Sequence, residues 1–328
     1  MTKILFIGDP HIRHTHLTEG VKLLRWIEQI IEESNPDLVV NLGDTFDLHA
    51  TIRSDVLCEV TKHIDMVCDG LKKPMVMVLG NHDMWKPNDY RYHALQVFEK
   101  RHNNLYIVDK HIQMDGVSYI PYLYNNIWPK STASIAVTHN TFIGADYGYR
   151  TAQDGIHASD VQADIVVSGH IHKRQQLESA KILYPGTPMA ISASDADQIK
   201  GLLLFETSNY EQHFIHSPFP IWRNIVFNIG DGDLGDIVNN KDYWIVTLKG
   251  PRAEIKSFMA SKTVKELRSA TSISFKTEST DTIKVDRISI KTSNLDTMVD
   301  QYIDRIYTGT QDKQSVKKTI KSVLEADK

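Results

Sequence analysis

The sequence predicts an α/β fold: a two-sheet sandwich flanked by helices, then a small α/β cap domain and a helical C-terminal tail. Three observations predict it. Strand-like and helix-like stretches alternate over the first 80 residues, the signature of parallel βαβ units. From Ile182 to Phe219 the pattern is β alone, which reads as a second sheet packed on the first. Past Ser217-Pro218-Phe219-Pro220, where two close prolines suit a domain edge, the composition changes and clusters of ligand-type residues cease. The boundaries are therefore drawn at 1–217 for the sandwich, 218–292 for the cap and 293–328 for the tail. A chain of 328 residues agrees with a prior of about two domains.

Taken in order, Lys3 to Gly8 is a strand. Val21, Leu23, Leu24, Ile27, Ile30 and Ile31 then fall at helical spacing within Thr18 to Ser34, and Asn35-Pro36 ends that helix. Asp37 to Leu42 is a strand, and Ser54, a residue of N-cap type, opens a helix that ends near Gly70. Pro74 to Leu79 is a buried strand. Asn88 to Arg101 is expected to be helical and Leu105 to Val108 extended, with a hairpin over His111 to Tyr122 turning at Asp115-Gly116. Strands at Ser134 and Asp164 flank an aromatic-rich loop, Asn140 to Asp154. Strands follow at Ile182 to Tyr184, Gly201 to Glu206 and His213 to His216. In the cap come strands at Trp222 to Ile229, Tyr243 to Leu248 and Ser272 to Lys276, with a helix from Arg252 to Ser261. In the tail, Leu295, Met298, Val299, Tyr302, Ile303 and Ile306 form one apolar stripe. Val316, Ile320, Val323 and Leu324 form another beyond the break at Thr308-Gly309-Thr310.

The totals exclude several classes. A net charge of -4 gives no whole-molecule attraction for nucleic acid, so any such contact needs a local basic patch. Cys58 and Cys68 lie ten positions apart on one helical stretch, too far to bridge, and read as reduced thiols of a cytoplasmic protein. The N-terminus reaches Asp9 too soon for a secretory signal, and no apolar run has membrane-spanning length.

The chemistry sits where strands end. Asp9-Pro10-His11, Gly43-Asp44, Gly80-Asn81-His82-Asp83, His139 and Gly169-His170-Ile171-His172 each follow an apolar strand, the edge at which open α/β sheets build ligand sites. In extended backbone, residues i and i+2 face the same way, so Asp9 with His11, and His170 with His172, can each grip one object. Gly-Asp alone is most often a plain turn, and one such His pair is usually accidental; their repetition at successive strand ends points to a metal site. Mixed oxygen and nitrogen ligands admit manganese, zinc, iron or magnesium.

This order of motifs resembles the calcineurin-like metallophosphoesterase superfamily. Within it the chain is similar to the SbcD-type nuclease subunit of the double-strand-break repair complex, most closely its tailed-phage version. Pro185-Gly186-Thr187-Pro188 followed by Gly201-Leu202-Leu203-Leu204-Phe205 matches the nuclease branch rather than the phosphatase branch. The motifs span Asp9 to about Phe205; the C-terminal third is similar only in outline.

The resemblance implies two metal ions bridged by Asp44, one held also by Asp9, His11 and His172, the other by Asn81, His139 and His170. Manganese would be the metal, with magnesium as the alternative. Such a pair lies ~3.5–4 Å apart and activates water, so no Ser or Cys nucleophile is needed. His82 would protonate the leaving 3′ oxygen or stabilise its developing charge. The implied function is metal-dependent hydrolysis of DNA, exonucleolytic on duplex and endonucleolytic on single strands, in repair and recombination. The implied partners are DNA and an SbcC-type coiled-coil ATPase gripped by the tail, in a heterotetramer built on a homodimer, with no membrane. The location would be the cytoplasm, the host's if a phage encodes the chain.

One departure concerns Asp47, which stands where cellular nucleases usually carry a His. Either its carboxylate holds and charges His82, or it caps the following turn. For DNA contacts the candidates are Lys86 and Arg91, in the stretch Met84 to Tyr92 that mixes cations with aromatics, together with Arg13, Lys173 and Arg174 beside the ligands. Singly, each reads as a solvated surface charge. Gly230-Asp231-Gly232-Asp233-Leu234-Gly235 fits a dinucleotide fingerprint, but its carboxylates would repel a pyrophosphate and it reads as a loop. No Walker-type Gly-x-x-x-x-Gly-Lys occurs, so any ATP control would come through a partner. The competing readings are a phosphatase or cyclic-nucleotide phosphodiesterase using the same centre, and an inactive scaffold, which the complete ligand set argues against.

Overall fold

The computed structural model describes residues 2–49, 51–130, 133–177, 181–238, 241–281, 300, 303–304 and 312–326. It divides into two compact units, Met1–Ser279 and Thr280–Lys328.

In the first unit the chain runs β1 (Lys3–Ile7), α1 (Leu17–Ser34), β2 (Leu38–Asn41), α2 (Ser54–Asp65), β3 (Met75–Val78) and β4 (Leu105–Val108). Then come β5 (Ile112–Met114), β6 (Val117–Ile120), β7 (Ile135–Thr138), β8 (Ile165–Ser168), β9 (Gln175–Leu177), β10 (Ile182–Tyr184), β11 (Gly201–Glu206) and β12 (Gln212–His216). The first sheet has the order β12-β11-β1-β2-β3-β4 and the second β5-β6-β7-β8-β10-β9. Strands β1 to β4 are mutually parallel, as are β6, β7, β8 and β10, so the C-terminal ends of each set open at one edge.

Side-chain alternation explains the layering. Along β1, Ile4 and Phe6 point inward to Val137, Val167 and Phe205 between the sheets. Leu5 and Ile7 point outward to Leu23, Ile27 and Ile31 of α1 and Val60 and Ile64 of α2. Both faces of these parallel strands are buried except at β4, where Tyr106 is exposed, which is why the rest read as unbroken apolar runs. The outer face of the second sheet is covered differently: Ile120, Ala136, Val166 and Ile182 pack under Trp128, Phe142 and Ile156 of irregular chain. The aromatic loop from Asn140 is thus a structural lid on that sheet.

A third sheet, β13 (Trp222–Asn228), β14 (Tyr243–Gly250) and β15 (Ile273–Ser279), is wholly parallel. Parallel β14 and β15 require a crossover, which α3 (Arg252–Met259) and α4 (Lys262–Ala270) supply. Ser261 starts α4 by accepting a bond from the Val264 N–H at 3.3 Å. This second helix was not foreseen. The glycine-rich stretch Gly230–Gly235 is a loop, where Asp233 accepts from the Gly235 N–H at 2.8 Å.

Two further expectations are corrected. Asn88 to Arg101 is not a helix; only Ala94–Phe98 forms a 3-10 turn. Asp89 spends its carboxylate on the Arg91 backbone N–H and guanidinium, local bonds that compete with helix formation. Nor do the strands after Ile182 form a separate sheet: β10 extends the second sheet beside β8, while β11 and β12 return to the first beside β1.

In the second unit, α5 (Lys313–Ala326) is helical where a helix from Val316 was expected, and Lys317 pairs with Asp304 at 2.7 Å. The expected stripe from Leu295 to Ile306 lies, apart from Ile303, outside the described residues, as does the break at Thr308-Gly309-Thr310.

Candidate metal centre

The ends of β1, β2, β3, β7 and β8 bring Asp9, His11, Asp44, Asn81, His139, His170 and His172 into one cluster. Ligand atoms of Asp9, His11 and His172 lie within 4.8 Å of one another, as do those of Asp44, His139 and His170. The Asn81 carbonyl oxygen joins the second group, 2.8 Å from His170 Nδ1 and 3.2 Å from His139 Nε2. Asp44 Oδ2 stands between the groups, 3.2 Å from His139 Nε2 and 3.7 Å from His11 Nε2. The first group closes through His11 and His172, whose Nε2 atoms are 3.2 Å apart.

The local backbone is not the extended one expected. His11, Asp44 and His170 have φ of 44°, 47° and 77°, in the left-handed region. Non-glycine residues there cost of order 1–3 kcal/mol each and cluster where surroundings fix them. The chain curls around the cluster instead of presenting i and i+2 on a flat face, and Asn81-His82 lies in a turn. Glycine is required beside it: a Cβ on Gly80 would collide with Asp44, and one on Gly169 would lie 2.6 Å from Asp9 Oδ1.

Outer partners fix the rings. His139 Nδ1 donates to the Leu42 carbonyl at 2.8 Å, leaving Nε2 for the cluster. His11 Nδ1 faces Asp47 Oδ1 at 3.4 Å, and His172 Nδ1 faces Asp195 Oδ1 at 3.8 Å. His82 Nδ1 donates to the Asp47 backbone carbonyl at 2.6 Å, and its backbone N–H donates to Asp44 Oδ1 at 2.8 Å. The expectation for Asp47 is thereby corrected. Its carboxylate faces His11, and it is the main-chain carbonyl, which any residue would supply, that holds His82.

Charge is concentrated here. Burial pushes the Asp44 carboxyl up, but the His139, His11 and His82 rings outweigh it and hold it well below the usual range. Burial disfavours a charged His139, yet Asp44 and Asp9 raise it to about 9. His170 is lowered to about 3 by burial and by His139. Asp83, buried and repelled by Asp44, is raised to about 7, and it accepts from the backbone N–H groups of Gly80 and Phe46.

The donor set fits divalent cations. Asp9 Oδ2 is buried with no hydrogen-bond partner, a costly state for a carboxylate unless a cation meets it. Two carboxylates, an amide and four imidazoles are borderline to hard donors, and neither cysteine is among them. His82 also lies within 4.8 Å of His11 and Asp44.

Several contributors escaped the sequence reading. His49 stacks on His82 with ring centroids 4.2 Å apart, and its Nδ1 donates to the Asn81 main-chain carbonyl at 2.8 Å. Asp195, behind His172, sits 3.6 Å from the buried Lys200. Neither follows a strand in a recognisable motif, and closeness in sequence to Asp44 does not by itself place His49 on His82. The expected DNA-contacting cations are scattered in kind. Arg13 Nη2 donates to the Ile191 carbonyl at 2.8 Å, Arg91 pairs with Asp89 at 2.8 Å, and Lys173 pairs with Asp146. Arg174 lies over the Phe214 ring at 4.4 Å, and Lys86 over the exposed Trp85 ring at 4.0 Å.

Two facing sheets whose parallel strands end in a buried cluster of carboxylates, imidazoles and an amide define a metallophosphoesterase fold. The chain belongs to the calcineurin-like phosphoesterase family, whose sequence profile matches residues 2–174. It is similar to exonuclease subunit 1 of Enterobacteria phage T4, 26% identical, with 93% of each chain covered. It is also similar to the SbcD component of the SbcCD nuclease of Staphylococcus epidermidis, 24% identical over 73% of this chain and 75% of that one. A protein of Invertebrate iridescent virus 3, the putative phosphoesterase 078R, is 26% identical with 91% of each covered. Among the described residues, no helix is long and apolar enough to cross a membrane.

The raised His139 gives a pH-dependent expectation. With a value of about 9, this ring carries a proton at pH 7 that a metal ligand must lose. Through His139 alone, metal affinity should fall about tenfold per unit of pH below that value. Calorimetric titration of manganese at pH 7 in buffers of different ionisation heat should register this proton; its absence would place His139 outside the centre.

Proposed function

We propose that the chain is a two-metal phosphodiesterase that cleaves DNA, acting as the nuclease subunit of a complex with an ATPase. The observation that carries the reading is Asp44 Oδ2 standing between two ligand groups, 3.7 Å from His11 and 3.2 Å from His139. In this reading Asp9, His11, His172 and Asp44 hold one ion, and Asn81, His139, His170 and Asp44 the other. Manganese suits these donors, with magnesium as the alternative. When bound, the two ions supply Lewis acidity and a water nucleophile at neutral pH.

The chain's own residues do the rest. His82 is aimed by the Asp47 carbonyl, which holds Nδ1 and frees Nε2 to meet the leaving oxygen. Burial lowers its pKa below the ordinary imidazole value, against the pull of Asp44, which favours the neutral ring. Asp47 and Asp195 orient His11 and His172.

DNA is favoured over a small phosphoester by the similarity to the T4 exonuclease subunit across nearly the whole chain. The turn after His82, where Lys86 covers Trp85 beside Tyr92, supports it, because such surfaces receive bases and phosphates. Duplex exonuclease and single-strand endonuclease activity, in repair and recombination, are the forms proposed. Residues 1–217 would carry the nuclease, 218–292 a DNA-binding cap and 293–328 the element that binds a coiled-coil ATPase, within a heterotetramer in the cytoplasm.

Purified chain with manganese should degrade end-labelled duplex DNA faster than it hydrolyses a chromogenic phosphomonoester; the reverse preference would favour a phosphatase. Asp44→Ala should abolish the activity. His82→Ser should keep its metals and lose ~10²–10⁴ in rate, whereas loss of metal would make His82 a ligand.

Lys86→Ala should reduce the slope of log binding constant against log salt by about one unit. Arg91→Ala should change it less, because Asp89 already neutralises that guanidinium. Equal effects would remove the distinction.

Ending the chain at Thr292 should leave manganese-dependent cleavage intact and abolish co-purification with the ATPase. Normal ATPase binding by the truncated chain would place the interface elsewhere.

A further inference from the structure

Away from the strand-end cluster, one side-chain group is built like a ligand site and has no part in the chemistry above. His93 is 93% buried, being 7% exposed, and neither of its ring nitrogens has a hydrogen-bond partner. One of those nitrogens, a Glu99 carboxylate oxygen and an Asp109 carboxylate oxygen lie within 4.8 Å of one another. A buried imidazole with both nitrogens unanswered is costly, so such a group calls for an explanation.

The backbone shows why these three meet. His93 and Glu99 are the residues flanking the 3-10 turn Ala94–Phe98. The side chains at its two ends meet beside Asp109, the residue following β4. His93 is extended, and its backbone pairs with Met84 as an isolated antiparallel bridge. The next residue, Ala94, donates its N–H to the Asp83 carbonyl at 2.7 Å. The cluster therefore sits at the foot of the loop that leaves His82 and carries Trp85, Lys86 and Tyr92.

We propose that His93, Glu99 and Asp109 form a further metal site, structural in kind, that binds zinc and staples the foot of the Trp85–Tyr92 loop to the end of β4. One imidazole and two carboxylates, with water completing the shell, are donors that zinc accepts. The ion answers the buried ring and neutralises two carboxylates held close together. It ties two segments, 93–99 and 109, that the sequence separates. The half-buried Asp109 and exposed Glu99 leave an entry path from solvent.

The test is a count of zinc. Metal-free full-length chain is dialysed to equilibrium against Zn²⁺, and bound zinc is measured by inductively coupled plasma mass spectrometry. His93→Gln and Asp109→Lys should each bind one equivalent less than the wild type. The difference, not the total, carries the test, so a strand-end centre holding two ions, one or none leaves the result readable. Asp109→Lys, at a half-buried loop position, serves if His93→Gln fails to fold. In wild type, zinc should also slow amide exchange over residues 84–93, and this slowing should be absent in Asp109→Lys. Equal zinc counts in wild type and Asp109→Lys overturn the proposal. A lost equivalent without any change in exchange of residues 84–93 overturns the stapling role.

Discussion

The site depends on one buried carboxylate. Asp44 is 2% exposed, and it stays charged because imidazoles and a backbone donor surround it. Its Oδ2 serves His11 and His139, and its Oδ1 accepts from the His82 backbone N–H. The same group therefore joins both ligand sets and fixes the turn that presents His82. Its neighbours have little latitude: Asp44 itself is left-handed, and Gly80 must lack a Cβ to admit it. A neutral or larger residue here would leave His139 charged and buried without its closest carboxylate, the costly half of a broken pair.

Around that carboxylate the imidazoles are held from behind. A ligand histidine must present one chosen nitrogen, and the partner on the other nitrogen makes the choice. For His139 the partner is the Leu42 carbonyl, at the end of the neighbouring strand, so the sheet itself sets the tautomer. For His11 and His172 it is a carboxylate, Asp47 from irregular chain or Asp195 from the 3-10 turn Ala193–Asp195. Asp47 thus acts twice, by side chain on His11 and by main chain on His82. Replacing it alters the first contact directly and the second only through backbone placement.

Much of this was legible in the sequence because it follows from short-range rules. The apolar runs of β1, β2, β3, β7 and β8 mark strands buried on both faces, and the polar residues that end them mark the sheet edge. The hairpin was legible because Asp115-Gly116 supplies two positive φ values, 49° and 77°, as a tight turn demands. What escaped was set by distant partners. The helix expected over Asn88 to Arg101 lost to bonds that Asp89 makes with Arg91, and the strands after Ile182 pair with partners distant in sequence, β10 with β8 and β11 with β1. Asp195 and His49 carry no strand-end signal; only the folded chain brings them to His172 and His82. The i, i+2 argument brought Asp9 and His11 into one group but not His170 and His172, which fall in different groups, and its extended geometry fails because His11 and His170 are left-handed.

Electrostatics connects the site to the substrate class in the proposed reading. With a net charge of -4, the chain as a whole does not draw a polyanion. Of the cations near the cluster, Arg91 and Lys173 are matched by Asp89 and Asp146. Arg13 is tied to a backbone carbonyl and Arg174 is laid over Phe214. Lys86 lies over the exposed Trp85 ring at 4.0 Å. The ligand set itself bears two carboxylates, Asp9 and Asp44, against neutral imidazoles and an amide; a pair of divalent ions would leave it with about two positive charges. The strongest attraction for a phosphate would then arise at the centre and only when metal is loaded. In that reading metal loading and phosphate binding would be one coupled event, and the chain would select a phosphodiester at the point where its chemistry is done.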